Sequence, residues 1–174
     1  MVYFIIIAIV ITLFQRRNPF SFIRTISFEW PLIILLSFGA QIVLSFVTYQ
    51  TKEKIEWIFV LTFVGIIAGL LKNRKIAGVK WIVAGAILNL LALLLNGGTM
   101  PVSDKAIQIT GQENASFETD ARHHLMNETV FWFLGDWIPL IRYILSPGDI
   151  LAGIGIILLI VKHSERRKRQ GDVS

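Results

Sequence analysis

Pro31-Leu32-Ile33-Ile34-Leu35-Leu36-Ser37-Phe38-Gly39-Ala40-Gln41-Ile42-Val43-Leu44-Ser45-Phe46-Val47-Thr48-Tyr49 contains no Asp, Glu, Lys or Arg. A helix rises about 1.5 Å per residue, so a run of this length matches the roughly 30 Å hydrocarbon core of a bilayer. Pro31 falls at a first-turn position, where its missing N–H costs nothing. The stretch reads as a helix whose natural solvent is lipid.

Outward from it, the same apolar character recurs at 2–14, 57–71, 76–95 and 147–161. The run 2–14 ends at Arg16-Arg17 and lacks the basic leader and small-residue cleavage site of a signal peptide, so it reads as a retained anchor. Over all 174 residues, 54% are hydrophobic and 17% charged, with a mean hydropathy of +0.63. Soluble domains carry about 25% charged residues, so one water-soluble core is excluded as the destination of these runs. There is no Cys, which excludes disulfides, thiolate nucleophiles and Cys-based metal sites. The expected fold is all-α, a single integral membrane helix bundle over 1–174. It has about five transmembrane helices plus one interfacial or re-entrant helix at 130–145. That last segment is apolar but interrupted by Gly135, Asp136, Pro139 and Arg142.

Charge sets the expected orientation. Arg16, Arg17, Arg24, Lys72, Arg74, Lys75, Lys80, Lys162, Arg166, Arg167, Lys168 and Arg169 flank one side of the bundle, which is twelve of the 17 Lys and Arg. Lys52, Lys54, Lys105, Arg122 and Arg142 flank the other. The positive-inside rule places the larger set and the tail 162–174 in the cytoplasm, with the N-terminus and loop 96–146 outside. Tyr49, Trp57, Trp132 and Trp137 then belong at the outer headgroup level, and Trp30 and Trp81 at the inner one. The net charge of +5 is read as topology and contact with anionic lipid headgroups, not nucleic-acid binding. Within the bundle, Gly65 with Gly69, and Gly153 with Gly155, allow close helix approach; Gln41 and Asn89 are polar residues at mid-depth, read as interhelical glue.

The outer loop gathers the unusual residues. Asp136 lies among Phe131, Trp132, Phe133, Leu134 and Trp137, where a carboxylate is costly unless paired, bonded or protonated. Asp149 follows Ser146-Pro147-Gly148 and suits a helix N-terminus, where its charge meets the positive end of the dipole. Two carboxylates held together in a shielded site titrate apart and supply an acid and a base, so Asp136 and Asp149 form a candidate catalytic pair, with Asn96 in support. Arg142, between them in sequence, would neutralise one of them if bonded to it. Arg122, His123 and His124 suit a lipid phosphate, and Gly97 and Gly98 offer backbone N–H groups to an anion or simply end a helix. His123 and His124 point about 100° apart on a helix and seldom share a metal, so no metal or cofactor is expected.

The string from Asn96-Gly97-Gly98-Thr99-Met100-Pro101-Val102 through Leu134-Gly135-Asp136-Trp137-Ile138-Pro139 to Ser146-Pro147-Gly148-Asp149 resembles a bacterial multi-pass membrane-protein family labelled only as a domain of unknown function. The resemblance implies a bacterial membrane protein and brings no activity with it. At the level of short motifs, Asn96 with Gly98, Asp136-Trp137-Ile138, and Asp149 with Gly155 are similar to elements of lipoprotein signal peptidase, a membrane aspartyl protease. That likeness implies catalytic roles for Asp136 and Asp149. Against it, Ser146 stands where that family has Asn, and its Gly-Asn-x-x-Asp-Arg element is missing.

Three functions follow from different classes. The first is an interaction or scaffold component whose outer face meets lipid or another membrane protein. The second is a membrane hydrolase using Asp136 and Asp149. The third is a small lipid transport component with Gln41 and Asn89 on a shared polar path.

Overall fold

The computed structural model describes residues 1–51, 56–112, 123–125 and 131–166. The elements in chain order are α1 (Val2–Phe14), α2 (Phe22–Thr25), α3 (Pro31–Thr51), α4 (Glu56–Lys72), α5 (Val79–Leu95), β1 (Met100–Val102), α6 (Asp104–Thr110), β2 (His123–Leu125), β3 (Ile138–Leu140), β4 (Tyr143–Leu145) and α7 (Pro147–His163). The fold is mainly helical, and the five apolar runs read from the sequence are its five long helices. Among the described residues, only α3 is long and apolar enough to cross a membrane by length and composition; Val2–Phe14, Trp57–Lys72 and Val79–Leu95 are shorter apolar helices. At about 1.5 Å per residue, helices of 13 and 17 residues reach about 20 and 25 Å, short of a 30 Å core.

The five helices form a row in which neighbours touch in the order α3, α4, α5, α7, α1. Their directions follow from the contacting residues. Gly65 and Gly69 on α4 face Ser37 and Ile34 on α3, so these two helices are antiparallel. Gly85 faces Gly148 and Ala152, and Gly155 faces Gly78 and Ile82, so α5 and α7 are antiparallel as well. Phe4 lies on Gly153 while Arg17 donates to the Val161 carbonyl at 3.1 Å, so α1 runs parallel to α7. α7 is thus inserted between α1 and α5.

Backbone proximity defines the α5–α7 contact. A Cβ on Gly85 would lie 2.7 Å from the Ala152 nitrogen, and one on Gly155 would lie 2.6 Å from the Gly78 carbonyl. Seven residues separate Gly78 from Gly85 and Gly148 from Gly155, so each pair returns to the same helix face after two turns. Ala8, Ile66, Leu70, Val79, Val83, Leu159 and Ile160 form the core beside one end of this contact. Val60, Phe63, Ala92, Leu93 and Met100 form a second core near the other end.

Of residues 130–145, expected to form one interfacial or re-entrant helix, the described 131–145 fold otherwise. Trp132–Leu134 is a single 3-10 turn, and β3 and β4 form an antiparallel hairpin with Pro139 opposite Ile144. Gly135 leaves the turn in an extended conformation, and Pro139 could not donate within a helix. The described part of 96–146 also carries regular structure. It contains α6 and two small sheets, while the fold as a whole stays mostly helical, in keeping with the all-α expectation.

Candidate functional site

The start of α7 is built by its own sequence. Pro147 occupies the first helical position, and Ser146 caps it in an extended conformation (φ −87°, ψ 163°). The Asp149 amide donates to Ser146 Oγ at 3.0 Å, and the Ser146 amide donates to Asp149 Oδ2 at 3.3 Å, a reciprocal capping box. Asn89 on α5 joins this cap from the neighbouring helix. Its Nδ2 donates to Asp149 Oδ1 at 3.1 Å, and Ser146 Oγ donates to Asn89 Oδ1 at 2.8 Å. The three residues form a closed ring across the two helices, with the Ser146–Asp149 side made through their backbone amides. Ser146 is 0% exposed and Asn89 is buried, so the ring meets the need of buried polar groups for partners. Gly148 makes room for it: a Cβ there would lie 2.7 Å from Asn89 Cγ and 2.6 Å from the Gly85 carbonyl. Sequence reasoning identified Asp149 as a cap residue and Asn89 as interhelical glue, and missed that Ser146 joins them.

The other expected site residues that the structure describes lie in the cap over this end of the bundle. Asn96 ends α5 and donates from Nδ2 to the Ala92 carbonyl at 2.7 Å. Gly97 and Gly98 have φ of +66° and +93°, and the Gly98 amide donates to the Leu93 carbonyl at 2.7 Å. That bond closes a helix C-terminus and commits the Gly98 amide, which leaves it unavailable as an anion cradle. The chain then runs into the buried strand β1, where Pro101 pairs with His124 of β2 in parallel register. Asp136 lies on the other edge of β1: its amide donates to the Pro101 carbonyl at 2.8 Å, and the Ser103 amide donates to the Asp136 carbonyl at 2.9 Å. Asp136 is 6% exposed, so its carboxyl group is held inside the cap by a backbone fixed on both sides. A buried strand at Met100-Pro101-Val102 was not expected; Pro101 lacks an N–H and is uncommon inside a sheet.

Arg142 is exposed at the hairpin tip, and its carbonyl accepts from Gln112 Nε2 at 2.8 Å. His123 and His124 contribute backbone to β2, and Arg122 lies outside the described residues. Gln41 donates from Nε2 to Thr62 Oγ1 at 3.1 Å between α3 and α4. Among the described residues, no three His, Asp or Glu side chains gather as a metal site. Phe131, Trp132, Phe133 and Trp137 form an exposed edge-to-face cluster with ring centroids 5.8–6.4 Å apart, and Trp137 Nε1 donates to the Phe133 carbonyl at 2.9 Å.

Fold and site together define a small protein built on a row of helices, with a β-containing cap at one end. The chain belongs to the family of unknown function DUF5317, whose model matches residues 25–161. It is similar to a protein of Thermotoga maritima described as uncharacterized, with 32% identity over 108 residues, or 58% of this chain. The matched stretch spans 61% of that relative's length. No solved structure matches.

Proposed function

We propose that this chain is a multi-pass protein of a bacterial cytoplasmic membrane and that its capped end is a rigid outer platform that contacts lipid headgroups or another membrane protein. One observation carries the reading: apolar side chains face outward along the helices while cations collect at one end of the row. On α3, Leu36 and Ile42 are 71% and 72% exposed, and Leu32, Leu35, Phe38, Val43 and Phe46 are exposed with them. On α1, Val2, Ile5, Ile6, Ile7, Val10 and Leu13 are exposed too. Soluble monomers rarely expose continuous apolar surface beyond a few hundred Å². Arg16, Arg17, Arg24, Lys72, Arg74, Lys75, Lys80, Lys162 and Arg166 lie toward the end where α1, α4 and α7 finish and α3 and α5 begin. Lys105 and Arg142 belong to the cap at the opposite end. The exposed Phe131–Trp137 aromatics suit a headgroup level at that cap, and α1, α4, α5 and α7 would be accommodated by local thinning of the bilayer.

The Asn89–Ser146–Asp149 ring supports a structural role for Asp149, because both carboxylate oxygens already accept hydrogen bonds within a helix cap. A general base needs a lone pair aimed at substrate or water. The separate Gln41–Thr62 and Asn89–Ser146 pairs likewise support glue over a transport path.

The chain has no Cys, so single cysteines report position without background. Gln108→Cys and Ile141→Cys at the cap should react with a membrane-impermeant maleimide on intact cells. Arg24→Cys and Lys162→Cys should react only after permeabilisation. Cap cysteines that stay unlabelled until lysis would refute the orientation.

A further inference from the structure

We propose that a cleft at the basic end of the bundle, beside the turn between α4 and α5, binds the headgroup phosphate of an anionic glycerophospholipid. The inference rests on the membrane reading above and adds a specific site to it.

Asn73 builds the site. It is buried in the turn after α4, and its amide makes three hydrogen bonds of 2.8 Å: Nδ2 to the Glu29 carbonyl, Nδ2 to the Gly69 carbonyl, and Oδ1 from the Glu29 amide. The segment entering α3 is thereby clamped to the end of α4. Next to the clamp, Trp30 takes a left-handed conformation (φ +54°), and Lys72 Nζ lies 4.7 Å from the centre of its ring. The cleft beside this clamp has a volume of about 340 Å³ and is lined by Glu29, Ala68, Leu71, Lys72, Arg74 and Lys75.

The lining has two chemistries. Lys72, Arg74 and Lys75 are exposed cations facing a single carboxylate, so the rim is suited to an anion. Arg and Lys hydrogen bonds to phosphate are charge-assisted and stronger than neutral ones. Ala68 and Leu71 continue onto the exposed apolar surface of α4, where an acyl chain would lie. A free phosphate would use the rim and leave this wall bare; a phospholipid uses both. Glu29 places an acceptor at the rim that suits a hydroxyl-bearing headgroup such as phosphatidylglycerol, and Trp30 is a residue type that settles at headgroup depth.

The test uses the full chain, purified and delipidated in neutral detergent, titrated with phosphatidylglycerol or phosphatidylcholine and read by native mass spectrometry. Phosphatidylglycerol should be retained preferentially. The K72Q/R74Q/K75Q variant should lose at least tenfold in apparent affinity, and R24Q/K162Q should bind as the parent does. Ala68→Glu, a surface change on the apolar wall, should also abolish the preference if the triple variant fails to fold. Equal retention of the two lipids, or equal loss in both charge variants, overturns the proposal. Complete displacement by millimolar inorganic phosphate overturns it in favour of a soluble ligand. Release of the protein from membranes by alkaline carbonate would refute the membrane reading itself; membrane retention with no lipid preference refutes only the site.

Discussion

The α5–α7 contact yields a prediction with a built-in control. Gly85→Ala adds one methyl group between two backbones. Its Cβ would lie 2.7 Å from the Ala152 nitrogen and 3.0 Å from Ala152 Cβ, while ordinary contact begins near 3.4 Å. The obstructing atoms belong to a helix backbone and a Cβ, so no rotamer change clears them. The helices must separate by several tenths of an ångström, and the strain falls one turn from the Asn89–Ser146–Asp149 ring. Overpacking of this kind costs about 1–3 kcal/mol. Gly39→Ala on α3 is the same chemical change with nothing within 4 Å of the new Cβ, so it should be neutral or stabilising by up to about 1 kcal/mol through helix propensity. Melting followed by intrinsic fluorescence of the five Trp residues measures both variants. At this chain length a loss of 1 kcal/mol lowers Tm by about 2–4 °C. Equal Tm values for Gly85→Ala and Gly39→Ala would refute the inferred backbone contact.

Ser146→Ala removes a helix cap and one member of the ring, at a cost of about 1–2 kcal/mol. Combined with Asn89→Ala, it should show a coupling energy above about 0.5 kcal/mol in a double-mutant cycle by denaturant titration; strictly additive losses would mean that the ring is not a unit. Asn73→Ala breaks three hydrogen bonds and leaves the Glu29 backbone groups to find new partners, so it should destabilise by about 1–3 kcal/mol and expose 26–30 to limited proteolysis, read by mass mapping of the fragments. Gln41→Leu removes one interhelical bond and should cost under about 1 kcal/mol by the same melting assay; a larger loss would mean that Gln41 does more than bond Thr62.

The helices were legible in the sequence because unbroken apolarity is a one-dimensional signal. The expected run 2–14 coincides with α1, and 31–49 falls short of α3 by two residues. Helix ends were legible where local chemistry fixes them, as at Ser146-Pro147-Gly148-Asp149 and Asn96-Gly97-Gly98. The cap was misread because short strands of three residues carry no usable period, and Gly135 and Pro139 fit an interrupted helix as well as a hairpin. Gly65 and Gly69 were found by their spacing of four. Gly78 and Gly85, and Gly148 as a partner of Gly155, were missed because the matching spacing of seven acquires meaning only when the two helices are set side by side. Asn89 and Ser146 illustrate the same limit, since 57 positions separate two side chains that share a hydrogen bond.

Because α7 packs between α5 and α1, α1 finds its main neighbour only when α7 has been made. Until then α1 is held near the growing molecule by the chain that follows it, and the row has a gap one helix wide. Closing a gap across so many residues is slow compared with forming a local hairpin, and it leaves a window in which another chain's terminal helix can occupy the slot. Shortening the protein before residue 147 should therefore orphan α1 as well as deleting α7, so these two helices stand or fall together.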